Sequence, residues 1–433
     1  MHTAMAAVAV HESDWRSFLW RAFVKPFTSG RLGLVYASGV LSQLGSVLAS
    51  IFIVVDMAHE GLWAMAAFLF TRYLVTAVGF SGLAWVAPYL SRAILWIMVL
   101  TTSVLAVTAA MIWAHSPIVI GVALSVAIVP FWFAFHTIML ASTHDEDRGE
   151  EVSMAWVSNV LGGMFGAILA GVFLASGVER SDAAGLGFAF NGLGALCLLP
   201  LLPNLHVLHQ KTSAALREGE QDVLHNESLW RALHRPRRYV FSTLATSMSE
   251  ALTAFLLPVW LKMAGVAGLA IGLAFALKAS VRFVLSPLTG ILVRRAKGQE
   301  LSLSAICSGL GWLGWLILSP SAALLTGTTL LWTAGEHLYG VGMDSRWYAT
   351  RSYACLVVRE IYLTVGRCLV TLIALPIIYG TPDHFPLIGI AIASILYACS
   401  FGWNPKLHMA KESSPTTLVK ETAPKSLLTG SRV

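Results

Sequence analysis

Several ionisable residues of this chain sit in the middle of long apolar stretches. Arg72, Glu250, Lys278, Arg282, Glu336 and Arg367 each lie well inside such a stretch, and Arg359 and Glu360 lie near the start of the one that holds Arg367. An ionised group in that setting costs about 2.5–3.5 kcal/mol on insertion scales, so by default it marks function. Lys278 and Arg282 are four apart and share one helical face. The deep set has four bases, Arg72, Lys278, Arg282 and Arg367, against two acids, Glu250 and Glu336. An excess of bases suits an anionic group, because guanidinium forks match carboxylate and phosphate geometry. The competing expectation is mutual pairing, for example Glu250 with Lys278 or Arg367 with Glu336. A half-buried carboxyl can also load and release a proton, which makes Glu250 and then Glu336 the candidates for proton coupling. His337 follows Glu336, but neighbouring helical residues point about 100° apart, so only one of the two can face a given cavity squarely. Arg359 and Glu360 fit a gate or a helix pair. His136, between aromatic neighbours, fits a hydrogen-bonded packing residue.

The elements that hold these groups must be membrane helices. The 433 residues are 56% hydrophobic and only 12% charged, and the mean hydropathy is +0.71. A soluble domain carries roughly 25% charged residues, so half that amount cannot coat a soluble surface of this size. A water-soluble enzyme, a disordered chain and a disulfide scaffold are excluded. The formal net charge of +6 reads as basic cytoplasmic loops rather than nucleic-acid binding. The five cysteines fall in apolar stretches without CxxC spacing, so no metal is expected. No Walker loop, haem CxxCH or HExxH pair is present; no cofactor, catalytic residue or enzyme activity is expected.

A membrane helix needs roughly 20 apolar residues. Such stretches lie near 33–55, 62–86, 93–114, 118–141, 153–176 and 185–203, then near 239–261, 267–292, 301–319, 322–343, 354–379 and 385–403. The polar linker 204–238 divides them six and six. The expected domains are a cytoplasmic segment 1–30 holding an interfacial amphipathic helix near 14–27, a bundle 31–203, the linker 204–238, a second bundle 239–403 and a polar tail 404–433. With both termini inside, the cytoplasmic side holds Arg31, Arg92, Arg148, the linker bases, Arg294, Arg295, Lys297, Arg346 and Arg351. The opposite side keeps only Arg180 and Lys262. That asymmetry sets an inside orientation for both ends and an even span count.

The halves echo each other weakly. Arg72, Val75 and Val78 of the second span match Lys278, Val281 and Val284 of the eighth, and each span runs on through a glycine, Gly82 or Gly290, to a basic loop. The segment Gly290-Ile-Leu-Val-Arg294-Arg295-Ala-Lys297-Gly298 resembles the loop motif of the major facilitator superfamily. Its first glycine and the base Arg295 match in spacing, while Arg294 stands in place of the usual acid. Residues 31–403 resemble that superfamily in architecture. The resemblance implies an all-α polytopic fold of twelve transmembrane helices in two six-helix bundles. It also implies that helices one, two, four, five, seven, eight, ten and eleven line a central cavity, and every deep charge named above falls on one of these. Arg295 is then expected in a gate or helix-pairing role with Arg359 and Glu360.

The function expected is secondary active transport of a small organic solute, anionic or amphipathic, by alternating access, with protons as the coupling ion. Expected partners are that solute, the lipid bilayer and protons, with no nucleic acid, and the chain is expected to be a monomer in a cell inner membrane. The alternative is a non-transporting scaffold or sensor on the same fold.

Overall fold

The computed structural model describes residues 30–86, 90–142, 148–202, 265–295, 329–349 and 353–380, with shorter pieces between 232 and 263 and between 300 and 311. Ten helices are described: α1 (Gly30–Glu60), α2 (Leu62–Val86), α3 (Arg92–Trp113), α4 (Pro117–Ser142), α5 (Arg148–Ser176), α6 (Arg180–Leu198), α7 (Leu257–Met263), α8 (Gly268–Arg295), α9 (Thr329–Ala349) and α10 (Tyr353–Gly380). The helix α7 is the last part of the seventh expected span, and α8, α9 and α10 are the eighth, tenth and eleventh. Eight of these helices are long and apolar enough to cross a membrane. The span 385–403, the amphipathic segment near 14–27, the tail and nearly all of the linker lie outside the described residues.

Length and apolar composition alone make these segments helical, because a helix satisfies its own backbone in a medium that offers no hydrogen bonds. Their ends are set by local chemistry. Ser91 caps α3 by accepting from the Ile94 amide at 3.3 Å. Gly177 and Gly265 adopt φ of +66° and +80° just past α5 and α7. There the amides of Val178 and Val266 turn back to the carbonyls of Phe173 and Leu261, at 3.2 and 2.9 Å. Only glycine takes that left-handed step without strain.

Successive helices reverse direction, so the bundle has two ends. One, the basic end, holds the start of α1, the loop before Arg92 and the loop before Arg148. The other, the far end, holds the turn at Gly61 and the turn after Gly177. The first half contains α1 to α6, with α1 packed on α5 and α6. The halves meet along two seams, α5 on α8 and α2 on α10. Lipid supplies no hydrophobic drive between helices, so such seams need small residues and close backbone approach. At the far end a Cβ on Gly171 would lie 2.8 Å from the Gly272 Cα. At the basic end a Cβ on Gly290 would lie 2.8 Å from the Ser153 Cβ.

The apolar core is layered. One cluster fills the far half of the bundle, with Ile53, Met57, Phe68 and Ile120 from the first half and Phe255, Val259 and Leu375 from the second. Another fills the basic half, with Tyr36, Phe131, Phe135 and Val157 meeting Tyr339, Trp347 and Leu356. Each cluster joins both halves. The deep charges lie between the two layers.

Two sequence expectations change here. Arg346 was expected in a loop but sits in the last turn of α9, where its Nη2 pairs with Glu300 at 2.6 Å. Arg180 was expected in an exposed loop but is the first residue of α6 and is buried. Glu300, one residue before the ninth expected span, is 1% exposed, so buried charge is not confined to the helices expected to line the cavity. The reason is the same in both places: hydropathy ends a span at the first charge, whereas a helix continues while each charge finds a partner.

Candidate functional site

The mid-depth layer resolves into two groups. The first lies wholly in the second half. Glu336 of α9 is 2% exposed. It accepts from the Arg282 Nη2 of α8 and lies 3.4 Å from the Lys278 Nζ. Lys278 also rests over the Trp332 ring at 4.2 Å, a cation–π contact that helps hold a desolvated ammonium. The i, i+4 pair Lys278 and Arg282 thus converges on one carboxylate, as their shared face requires. Next to Glu336, His337 turns the other way: its Nε2 lies 2.8 Å from the Ser286 Oγ, and its ring meets Trp156 of α5 edge-on.

The second group straddles the halves. Arg367 of α10 pairs with Glu250 at 2.6 Å, and the two are 28% and 26% exposed. Across from them, the Arg72 guanidinium of α2 donates to the Ser50 Oγ of α1 at 3.2 Å and lies over the Phe255 ring at 4.8 Å. Tyr73 meets Phe255 edge-on with centroids 6.0 Å apart. Arg72 makes no ion pair among the described residues. Nor does the buried Tyr73 hydroxyl or the Arg367 Nε find a hydrogen-bond partner.

Arg367 therefore pairs with Glu250 rather than with Glu336, which takes Lys278 and Arg282. Spacing along single helices could place the members of each side but not the rotation of one helix against another.

Towards the basic end, a third cluster joins four helices. Arg359 of α10 pairs with Asp344 of α9 and with its neighbour Glu360. The other Asp344 oxygen accepts from the Trp156 Nε1 of α5 at 3.0 Å. His136 of α4 has its Nε2 3.4 Å from Glu360 and its Nδ1 2.5 Å from the Tyr348 hydroxyl. His136 is thus a hydrogen-bonded residue, as expected, and one that bridges the halves. Asp344, Tyr348 and Trp156 were not singled out in the sequence. The tenth span had been ended at residue 343, yet Glu336, Tyr339, Gly340, Met343 and Trp347 keep one helical face running past it. The helix α8 ends at Arg295, whose side chain lies outside the described residues, so its expected gating contact is not placed.

At the far end, Arg180 pairs with Asp56 at 2.5 Å and with Glu60 at 2.6 Å, and it donates to the Ala114 carbonyl at 3.4 Å. This cluster ties α6 to α1 and to the end of α3, all within the first half.

Paired seams between α5 and α8 and between α2 and α10, with charge at mid-depth, form a two-bundle arrangement found in solved structures. A bacterial homologue of the iron transporter ferroportin in an outward-facing state superposes with a TM-score of 0.59 at 14% identity, covering 85% of this chain and 98% of that one. The same homologue with soaked iron gives 0.57 at 14% identity, over 86% and 99%. The human organic anion transporter MFSD10 gives 0.56 at 14%, over 85% and 97%. The chain has the major facilitator fold. No family model matches it, and no curated protein matches its sequence. The Arg72–Arg367 group lies between the two halves, and the Glu336 group lies within the second half.

Proposed function

We propose that this protein is a secondary transporter that moves a small organic anion across a cell inner membrane by alternating access, coupled to protons. The single observation that carries this reading is the mid-depth layer: four bases against two carboxylates, enclosed between two apolar clusters that each join both halves. Such a layer is costly in a protein that only needs to fold, and it is sealed from both ends by packing that domain rocking can open on one side at a time. The net positive charge of the layer supplies the potential that draws an anion in. That the human neighbour MFSD10 is an organic anion transporter agrees with this. Both termini and the linker 204–238 are placed on the cytoplasmic side by the lysine and arginine asymmetry. Glu250 is the coupling carboxyl, because it is the more accessible of the two.

The test is uptake into proteoliposomes under an imposed pH gradient, with a panel of organic anions, cations and sugars. One anion class is expected to accumulate, with Glu250→Gln abolishing gradient-driven accumulation while the protein inserts normally. Gradient-driven accumulation by that variant would remove Glu250 from the mechanism. Failure of every anion to accumulate would overturn the reading.

A further inference from the structure

The four deep bases are not equivalent. We infer that the transported species is an amphipathic monoanion, with an aryl or similar flat apolar part, held by Arg72, Arg367 and the Tyr73 hydroxyl against the Phe255 ring, and that Lys278 and Arg282 do not touch it. This rests on the anion-transport reading above and names the substrate class and contacts within it.

Three observations carry it. The first is saturation. Glu336 already occupies the fork between Lys278 and Arg282, is 2% exposed, and stands where a bound carboxylate would stand. In the other group, Arg72 has no carboxylate partner among the described residues and the buried Tyr73 hydroxyl has no hydrogen-bond partner; the Arg367 Nε is unpartnered too, as is the Arg282 Nε of the first group. Buried donors without acceptors are costly, and an anion supplies acceptors to those of the second group at once. The second is position. Arg72, Tyr73 and Ser50 come from the first half, while Phe255, Glu250 and Arg367 come from the second. The Tyr73–Phe255 contact brings the two sets together. A ligand can shift a conformational equilibrium only through contacts that differ between the two states. A ligand that bridges the halves has such contacts, whereas one held by Lys278 and Arg282 would ride inside one body. The third is charge and shape. Two bases and one carboxylate leave a single positive charge, which one monoanion neutralises. The Phe255 ring beneath Arg72 and the apolar cluster beyond it, with Phe68 and Val259, put apolar surface and no further charge beside the bases, which suits an anion with an apolar body.

The experiment is calorimetric titration of the purified full-length protein in detergent with benzoate, and with benzylammonium as the cation of matched shape. Wild type is expected to bind benzoate and not benzylammonium. Arg72→Gln is expected to weaken benzoate about thirtyfold or more, as loss of a desolvated charge pair does. Tyr73→Phe removes only a hydroxyl and is expected to weaken it about fivefold; it keeps the test open if Arg72→Gln does not fold. The double variant Lys278→Met with Glu336→Gln removes one base and one acid together, leaves the net charge of the layer unchanged, and is expected to hold benzoate affinity within about threefold, the effect of a distant neutral change. Equal loss in the double variant and in Arg72→Gln, or no loss in Tyr73→Phe, would overturn the site while leaving anion transport intact. Benzoate binding no better than benzylammonium in wild type would overturn both.

Discussion

Among the described residues, the two ends of the bundle are bridged between the halves by different chemistry. At the basic end, polar side chains cross between the halves: Trp156 of α5 to Asp344 of α9, and His136 of α4 to Tyr348 and Glu360. Ser153 of α5 also donates to the Ser286 carbonyl of α8. At the far end the strong polar cluster, Arg180 with Asp56 and Glu60, stays inside the first half. What crosses there among the described residues is the close glycine seam of α5 on α8, apolar packing, and one hydrogen bond from the Tyr379 hydroxyl to the Ala58 carbonyl at 3.1 Å. Opening the far end separates apolar surfaces and breaks little polar bonding. Opening the basic end strands charges. On the alternating-access reading proposed above, the two gates are therefore unequal, and the far end is the one that opens more cheaply.

That inequality can be removed or exaggerated. The largest effect is expected from Arg359→Gln. It leaves Asp344 and Glu360 side by side without their shared base, a loss of about 3–5 kcal/mol for a buried pair, and biases the protein towards an open basic end. Cys355 of α10 lies in the apolar cluster of the same end, at 1% exposure. With every other cysteine replaced by serine, its labelling by maleimide should rise at least tenfold in the variant; unchanged labelling would mean that the Arg359 cluster does not hold the gate. Gly272→Ala is expected to act at the opposite end. Its Cβ would lie 2.5 Å from the Ala167 carbonyl, an overpacking cost of about 1–3 kcal/mol. It should pry the far seam apart, leave Cys355 as protected as in wild type, and raise far-end accessibility of a cysteine introduced at Ala58. Trp156→Phe keeps an aromatic ring but loses the bond to Asp344; an interhelical bond of this kind is worth about 0.6–1.7 kcal/mol in a membrane, so Cys355 labelling should rise by about threefold to twentyfold. Tyr379→Phe is the smallest, about 0.6 kcal/mol by the same average, and a change in transport rate above threefold would show that the far gate depends on that single bond.

The same contrast marks what was legible beforehand. The apolar runs around Arg72, Lys278 and Arg367 announced membrane helices and put each charge at mid-depth, because a span's centre can be counted along one chain. The shared face of Lys278 and Arg282 was likewise local and held. The partners were not local. Arg367, a candidate partner for Glu336, meets Glu250 instead, and Glu336 takes Lys278 with Arg282. Asp344 and Arg346 were lost because charge was read as the end of a span. Glu300 and Asp56 gave no signal at all, since their importance lies only in the Arg346 and Arg180 that reach them.

By itself the sequence determined the medium, the helical class, the depth of the charges and the excess of bases, all of which follow from composition and from 1.5 Å of rise per residue. Which base is saturated and which stands open was decided only by the tertiary structure. That depends on how far α8 is rotated towards α9 and α2 towards α10, and those rotations are set by glycine seams and aromatic packing hundreds of residues apart. The division between a structural cluster around Glu336 and a receptive one around Arg72 is therefore a property of helix packing, which residue types alone do not encode.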